Sequence, residues 1–239
     1  MPYRNMSLEE FAAHVGMDAR EVRKLADRGR LPGRKISGEW RFNRARVTEW
    51  LQQEMPTLHE RRLIEVEQAM GNKDASDERV MLVTDLIGIE GIDLQLPAKT
   101  KGSVLRELVR LVDCAGLLWD RKSLLAAVKQ REQLCSTALP NGVAIPHPRQ
   151  PLVHATAEPV ICFARVAAGI AFGATDRKLT DMFFLICNHD DRYHLRVLAR
   201  LMRMIDNDTL DTLRTVGSSE EALDTLIRSE RDVVNRLPK

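Results

Sequence analysis

The stretch 135-CSTALPNGVAIPHPRQ-150 carries one histidine, His147, between two prolines and after a short apolar run. Proline fixes its own φ and shifts the residue before it towards extended geometry. Because Ile145 and His147 each precede a proline, the sequence predicts extended, non-helical backbone around the imidazole. A buried structural histidine does not need such a rigid setting, whereas a reacting histidine benefits from it. The stretch therefore predicts a strand end that presents His147 for chemistry.

The residues around His147 match the needs of a phosphoryl acceptor. Histidine is neutral and nucleophilic near neutral pH, with an ordinary pKa of about 6.5. Such an acceptor needs one bare ring nitrogen, a hydrogen bond on the other, and cations or donors for the phosphoryl oxygens. A second histidine, His194, begins a predicted helix, where a ring N–H and backbone N–H groups can meet an anion. Further candidates flank the site in sequence: Arg131, Ser136, Thr137 and Arg149.

From Leu82 onward, apolar runs rich in β-forming residues alternate with amphipathic stretches. Strands are predicted for "GIDLQLP", "GVAIPH", "EPVICFARVA", "GIAFGA" and "TDMFFLICN". Helices are predicted for "TKGSVLRELVRLVDCAG", "DRKSLLAAVKQREQL", "RYHLRVLARLMRMID", "NDTLDTLRTV" and "SSEEALDTLIRS". This alternation predicts an α/β sandwich built on a central sheet.

The first fifty residues have a different pattern. Ser7 and Glu10 form a predicted capping box for a short helix that stops at Gly16, and a second helix begins after Asp18. Two short helices joined by a tight turn predict a helix-turn-helix. "LPGRKISGEWRFN" follows as a two-stranded wing with Ile36, Trp40 and Phe42 alternating towards the core, and "RARVTEWLQQE" is a third helix.

Charge is unevenly distributed along the chain. Residues 1–52 carry 11 Lys and Arg against 7 Asp and Glu, a net charge of +4, whereas the whole chain carries only +2. Within residues 20–46 there are 10 basic and 3 acidic side chains. A solvated charged face is the ordinary interpretation of such a run, and its concentration in one short segment makes contact with nucleic acid a serious alternative.

Composition excludes several other classes of protein. The 239 residues are 44% hydrophobic and 29% charged, and no apolar run approaches the roughly 18 residues that a membrane helix needs. The N-terminus lacks a signal-peptide pattern, so a cytoplasmic protein without membrane insertion is expected. The four cysteines have no Cys-x-x-Cys spacing, which predicts reduced, mostly buried thiols rather than a zinc site. Neither a metal nor a cofactor is expected.

The chain divides into three predicted segments. We predict a winged helix-turn-helix domain at 1–55, a linker with a short helix at 56–81, and a phosphoryl-acceptor domain at 82–232. The linker helix, Leu58 to Met70, has apolar residues at three- and four-residue spacing but is too short to indicate a coiled coil. We interpret it as a packing helix, with a homodimer left open.

The N-terminal segment resembles the excisionase or MerR-like winged helix-turn-helix family, through "SLEEFAAHVGMDAREVRKLADRGRLPG", the wing "GEWRFN" and "VTEWL". The resemblance implies binding of duplex DNA, with the second helix in the major groove and the wing on flanking phosphates. The residues it implies are Arg20, Arg23, Lys24 and Arg28 on the helix, and Arg34, Lys35 and Arg41 on the wing. A module for protein contact is the alternative.

Residues 82–232 resemble the fructose, mannitol and nitrogen-regulatory type of enzyme IIA in the bacterial sugar phosphotransferase system. The matching pieces are "REQLCSTALPNGVAIPHPR", "IAFGATD" and "HLRVLARLMR". The resemblance implies an enzyme IIA-type α/β sandwich with a central mixed sheet. It also implies that His147 accepts a phosphoryl group from an HPr-like phosphocarrier protein, with His194 and Arg131 as its active-site partners.

The loop before His147 departs from the family pattern. Ala138 and Pro140 replace glycines that are usual there, and Pro148 stands where glycine is common. These changes stiffen the loop and bear on recognition of the donor, but they leave both histidines in place.

Two functions remain open on the sequence. In one, the chain is a regulator in which phosphorylation of the IIA domain sets the action of the helix-turn-helix, as in nitrogen regulation. In the other, it relays phosphoryl groups to an enzyme IIB in sugar transport, and the N-terminal domain serves protein contact. The basic winged helix favours the regulator. A metal site at His189, Asp190 and His194, a thiol nucleophile at Cys135, and a role for the exposed His154 are all weaker readings.

Overall fold

The computed structural model describes residues 5–71 and 82–236. The described residues form two compact units, one of 5–71 with 195–203 and the other of 82–194 with 204–236. Among them, no helix has the length and apolarity that crossing a membrane requires.

The first unit is a small three-stranded sheet with four helices and the segment 195–203. Its elements are β1 (Asn5–Met6), α1 (Leu8–Val15), α2 (Ala19–Asp27), β2 (Gly33–Ile36), β3 (Glu39–Asn43), α3 (Arg44–Glu54) and α4 (Glu60–Met70). The strands are antiparallel in the order β1-β3-β2. The predicted wing is therefore joined by a third strand that the sequence did not indicate. The part of the predicted linker at 72–81 lies outside the described residues.

Local capping fixes the ends of the first two helices, as predicted. Ser7 and Glu10 form a complete capping box on α1, and the Asp18 side chain caps α2. Gly16 ends α1 with φ of 69°, a left-handed conformation that favours glycine. A Cβ at this position would lie 2.7 Å from the Glu65 carbonyl oxygen of α4, so close packing requires glycine as well.

Two stacked phenylalanines lie in the otherwise mostly aliphatic core of the first unit. Phe11 and Phe42 are fully buried, with ring centroids 4.3 Å apart. The prediction that Ile36 faces the core is wrong, because its side chain is 41% exposed near the tip of the β2–β3 hairpin. Of the alternating pattern only Phe42 is fully buried, Trp40 is half-buried, and Ile36 lies in the last residue pair before the hairpin turn.

Helix α4 is a packing helix, as interpreted from its short apolar stripe. It buries Leu63, Val66 and Met70. Arg62 donates to the carbonyl oxygens of Val15 and Gly16, each at 2.7 Å, and so completes the end of α1. A further buried carboxylate on this helix, Glu67, accepts hydrogen bonds from two arginines at 195–203. These are Arg200 Nε at 2.8 Å and Arg203 Nη1 at 2.6 Å.

The second unit is a mixed sheet covered by helices. Its elements are β4 (Ile92–Asp93), α5 (Lys101–Cys114), α6 (Arg121–Leu134), β5 (Val143–Ala144), β6 (Val160–Ile170), β7 (Thr180–Cys187), α7 (Asp191–Met204), α8 (Asn207–Thr215) and α9 (Ser219–Asn235). Part of α7, 195–203, belongs to the first unit. The strand order is β4-β6-β7-β5, with β6 and β7 antiparallel and the outer strands each parallel to their neighbour. The predicted α/β fold with a mixed central sheet is confirmed.

Two strand predictions need correction. "EPVICFARVA" and "GIAFGA" were predicted as separate strands, but β6 runs from the first into the second and ends at Ile170. The pairing of β6 with β7 shifts in register between Arg165 and Ile170, where Gly169 has φ of 63°. The predicted gap between two strands is therefore an irregularity within one strand. "GIDLQLP" shrinks to Ile92–Asp93, because the Asp93 carboxylate accepts from the Gln95 amide at 2.9 Å and turns the chain.

Burial of the cysteines also differs from the expectation. Cys162 and Cys187 lie in the buried strands β6 and β7, but Cys114 and Cys135 are exposed at the ends of α5 and α6. All four are free. Only the two strand cysteines are therefore core residues, because helix ends lie at the surface.

Candidate functional site

His147 lies just beyond β5, in a backbone segment held from both sides. The Ile145 N–H donates to the Thr137 carbonyl oxygen at 3.1 Å, and the Ile186 N–H of β7 donates to the Pro146 carbonyl oxygen at 3.0 Å. Residues 145–148 are not helical, as the flanking prolines predict. The histidine therefore sits on rigid backbone at the end of the sheet.

One ring nitrogen of His147 is engaged and the other is not. Nδ1 lies 2.7 Å from the Ile145 carbonyl oxygen, which can only accept, so Nδ1 carries the proton. Nε2 is buried and has no hydrogen-bond partner within residues 5–71 and 82–236. The lone pair of Nε2 is therefore the nucleophilic position of this side chain.

His194 faces His147 from the first turn of α7. The two ring centroids are 5.0 Å apart with 46° between the planes. Asp190 begins the helix, since its carboxylate accepts from the Tyr193 amide at 2.9 Å. Nδ2 of the buried Asn188 lies 3.4 Å from Nδ1 of His194. In this amide orientation Asn188 donates, which puts the His194 ring proton on Nε2.

Burial keeps both imidazoles neutral. His147 is 3% exposed and His194 is 5% exposed. Loss of solvation lowers the pKa of His147 well below 6.5, and the nearby His194 and Arg131 lower it further, against the hydrogen bond to Ile145. Loss of solvation, helped by the Arg131 charge, lowers the pKa of His194 to about 4. At neutral pH the pair offers one bare nitrogen and one ring N–H.

The other predicted site residues differ in their burial and in their hydrogen-bond partners. Arg131, in the last turn of α6, is 5% exposed, acts electrostatically on both histidines, and donates to the Cys135 carbonyl oxygen at 2.8 Å. Ser136 donates to the Phe172 carbonyl oxygen at 2.9 Å, and Thr137 is bonded to a buried carboxylate. Arg149 is exposed two residues beyond His147. The charge of the buried arginine therefore acts on the histidine pair, whereas the two hydroxyls organise the loop.

Three residues near the site were missed at the sequence level. Asn188 follows β7 and sets the His194 tautomer, and Glu132 binds both Thr137 and Lys101. The five-residue spacing from Glu132 to Thr137 was visible, but nothing local signals a bond between them. Asn188 and Lys101 reach the site only through tertiary contacts.

The competing sites have no support in the geometry. His189 Nε2 lies 3.0 Å from the Thr156 hydroxyl, and Asp190 is engaged at the start of α7. Across the part of the chain that is described, no cluster of three or more His, Cys, Asp or Glu side chains is placed to hold a metal ion. His154 is exposed, as predicted.

The cations predicted for the N-terminal unit are largely at the surface. Arg20, Arg23 and Lys24 are exposed on α2, and Arg28, predicted to lie on this helix, is exposed at its C-cap. On the wing, Arg34 is exposed, Lys35 pairs with Asp27 at 3.2 Å, and Arg41 pairs with Glu39 at 2.5 Å. Helix α2 thus presents a basic face, whereas two wing cations have acidic neighbours.

Comparison with known proteins finds a match both for the N-terminal segment and for the segment that contains the two histidines. Residues 85–229 match the family described as phosphoenolpyruvate-dependent sugar phosphotransferase system, EIIA 2, and residues 6–55 match a helix-turn-helix domain. The fructose-specific EIIA component of Haloferax volcanii is 33% identical over 61% of this chain and 97% of its own length. The fructose-specific EIIABC component of Bacillus subtilis is 30% identical over 62% of this chain, which spans only 23% of that relative.

Nitrogen-regulatory proteins are similar as well. That of Bradyrhizobium diazoefficiens is 32% identical over 56% of this chain and 87% of its own length. The crystal structure of IIA-Ntr from Neisseria meningitidis superposes with a TM-score of 0.55 at 25% identity, covering 61% of this chain and 99% of that one. The chain therefore belongs to the EIIA 2 family of the phosphoenolpyruvate-dependent sugar phosphotransferase system, and it carries a helix-turn-helix domain before the EIIA domain.

Proposed function

We propose that this chain is a cytoplasmic regulatory protein that accepts a phosphoryl group on His147 from an HPr-like phosphocarrier and binds duplex DNA through its N-terminal domain. The proposal that His147 accepts a phosphoryl group rests on the buried histidine pair. His147 donates a hydrogen bond from Nδ1 to the Ile145 carbonyl oxygen and has its Nε2 lone pair unused, while His194 faces it at a centroid distance of 5.0 Å.

The transfer step follows from this arrangement. A bond forms from Nε2 of His147 to phosphorus as the bond from phosphorus to the carrier's imidazole nitrogen breaks, and that electron pair returns to the carrier's ring. Nδ1 of His147 keeps its proton and continues to donate a hydrogen bond to the Ile145 carbonyl oxygen. The N–H at Nε2 of His194 and the charge of Arg131 then face the phosphoryl oxygens, where preorganised donors and cations stabilise developing charge.

Burial has a consequence for access. Nε2 of both histidines is sequestered from solvent. A phosphoryl donor therefore reaches His147 only when part of the surrounding shell moves, and we expect transfer to be slower than encounter with the carrier.

Phosphotransfer from a phosphorylated HPr carrier tests the assignment. Wild-type protein should acquire an acid-labile, base-stable phosphoryl group, and His147→Ala should acquire none. His194→Ala should accept the group more slowly, because it loses a donor and not the nucleophile. The exposed His154 supplies the control, since His154→Ala should behave as wild type. Label that persists in His147→Ala would refute the assignment.

DNA binding is supported by the helix-turn-helix match and by the exposed cations of α2. Affinity for duplex DNA should fall steeply with salt, because each phosphate contact releases counterions. Replacing Arg23 and Lys24 with alanine should weaken binding and flatten the salt dependence. A matched control is the exposed pair Arg177 and Lys178, which removes the same charge from the EIIA domain. Equal losses from both pairs would mean that only net charge matters.

A second candidate function is a phosphoryl relay to an enzyme IIB in sugar uptake. It is favoured by the similarity to fructose-specific EIIA components, and the N-terminal domain would then serve protein contact. The two functions differ in what removes the phosphoryl group. A relay passes it rapidly to a fructose-type enzyme IIB, whereas a regulator retains it and changes its affinity for DNA. Rapid transfer without any DNA affinity would favour the relay.

A further inference from the structure

A buried carboxylate holds the loop that precedes the acceptor histidine. Glu132, in the last turn of α6, is 4% exposed. It accepts from the Thr137 backbone N–H at 3.1 Å, from the Thr137 hydroxyl at 2.6 Å, and from Lys101 Nζ at 2.7 Å. Both the main chain and the side chain of Thr137 are therefore fixed by one carboxylate.

Thr137 in turn holds the backbone beneath His147. Its carbonyl oxygen accepts from the Ile145 N–H at 3.1 Å. The Ile145 carbonyl oxygen is the group that lies 2.7 Å from Nδ1 of His147. Hydrogen bonds thus run without interruption from the Glu132 carboxylate, through Thr137 and Ile145, to the imidazole.

We infer that Glu132 is a positioning residue for phosphoryl transfer, which sets the orientation and the tautomer of His147 through Thr137 and Ile145. Nε2 is nucleophilic only while the ring proton stays on Nδ1, and Nδ1 keeps that proton because it donates a hydrogen bond to the Ile145 carbonyl oxygen. A displaced Ile145 would release the proton to Nε2 and leave no lone pair there. The inference rests on the proposed role of His147 as acceptor.

The contacts of Lys101 explain how a charged carboxylate is held in this position. Nζ of Lys101 bonds Glu132 and also donates to the Phe172 carbonyl oxygen at 2.9 Å. The Ser136 hydroxyl donates to that same carbonyl oxygen at 2.9 Å. The charge of Glu132 is therefore paired and all its contacts belong to one network, as a buried ion pair requires.

The same unit contains a matched carboxylate away from the histidines. Glu230 of α9 is 1% exposed and accepts from the Val83 amide at 2.6 Å. It also accepts from the Thr84 amide at 2.8 Å and from the Thr84 hydroxyl at 2.7 Å. Its bonds are of the same kind as those of Glu132, but they hold the segment before β4. A purely structural role would give both residues the same phenotype.

The test compares full-length Glu132→Ala and Glu132→Gln with Glu230→Ala and Glu230→Gln. Two quantities are measured: the His147 tautomer, from long-range ¹H–¹⁵N correlations of the ring nitrogens in unphosphorylated protein, and the rate of phosphorylation. The donors are a phosphorylated HPr carrier and phosphoramidate, whose P–N bond breaks to release ammonia. Phosphoramidate separates the reactivity of Nε2 from docking of a protein.

Wild type should hold its proton on Nδ1. Glu132→Ala should give a mixture of tautomers and a loss of about 100-fold in rate with both donors, the effect of a misplacement of about 1 Å. Glu132→Gln keeps one oxygen that can accept from both the amide and the hydroxyl of Thr137, but it loses the charged oxygen that pairs with Lys101. It should therefore lie between, and it decides the matter if the alanine variant does not fold. Both Glu230 variants should keep the wild-type tautomer and rate.

A folded Glu132 variant with the wild-type tautomer and rate would overturn the inference, and so would equal losses in the Glu132 and Glu230 variants. Failure of the proposed function would look different. Wild type would then accept no phosphoryl group from either donor, although the tautomer of His147 would still depend on Glu132.

Discussion

Acidification should destabilise the EIIA domain through its buried histidines before most carboxylates titrate. The folded chain lowers the pKa of His194 from 6.5 to about 4, chiefly by burial. As the pH falls below 6.5, His194 therefore binds a proton in the unfolded chain but stays neutral in the folded chain. The equilibrium shifts towards unfolding. The contribution of His194 is fully present above 6.5 and is lost as the pH falls through the window down to about 4.

The size of the effect follows from the two pKa values. Between about pH 7.5 and about pH 5, linkage gives a loss of about 2 kcal/mol in the free energy of unfolding from His194 alone. His147 acts in the same direction, because its pKa is also lowered. The expected slope is therefore steeper than that of a domain with solvent-exposed histidines.

Urea unfolding at several pH values, followed by native NMR signals of β6 and β7, measures this quantity in the EIIA domain. The matched variant is His194→Gln, which cannot titrate. Taking the difference between the two proteins cancels every group they share, so wild type should lose about 2 kcal/mol more than the variant across the window. Parallel curves would refute the reasoning, since His194 would then titrate near its ordinary value.

Three further predictions concern packing and reactivity. Gly16→Ala should destabilise the N-terminal unit more than Gly29→Ala in thermal unfolding, because both glycines have positive φ but only at Gly16 would the Cβ clash, 2.7 Å from a carbonyl oxygen. Glu67→Ala should cost about 3–5 kcal/mol of unfolding free energy, since two buried arginines would lose their ion pairs with this carboxylate; a loss no larger than that of an exposed glutamate would contradict this. Maleimide labelling followed by mass spectrometry should show that Cys162 and Cys187 react far more slowly than the two exposed cysteines. The reason is that burial raises the pKa of Cys162 to about 12 and that of Cys187 further. Equal labelling rates would contradict this prediction.

We expect phosphorylation of His147, as proposed above, to act on the N-terminal unit through the covalent link that α7 provides. Helix α7 begins beside the histidine pair and continues, at 195–203, in the unit that holds the helix-turn-helix. Screening limits the added charge of about −1.5 to −2 to a range of about 8 Å at physiological salt. We therefore expect any effect of phosphorylation on DNA affinity to depend on Glu67, which binds α7. Glu67→Gln should reduce that effect in a DNA titration of phosphorylated and unmodified protein, and an undiminished effect would exclude this route.

The sequence by itself determined what depends on neighbours along the chain. Ser7, Gly16 and Asp18 set helix ends through hydrogen bonds to residues a few positions away. Their roles could therefore be predicted from the sequence. The prolines around His147 likewise fixed the local backbone and marked this histidine as the candidate acceptor. Residue pattern also identified α5 and α6 and the alternation that makes an α/β fold.

Tertiary structure decided what depends on residues far apart in sequence. The continuous strand β6, the added strand β1 and the exposure of Ile36 all follow from which strands pair and which helices cover them. The tautomers of the two histidines rest on Asn188 and on the bonds from Glu132 through Thr137. The pKa of each imidazole is lowered by burial, and burial exists only once the sheet and helices enclose the pair. Local bonds can place a histidine on a rigid backbone, but only the enclosing fold removes its water and leaves Nε2 bare.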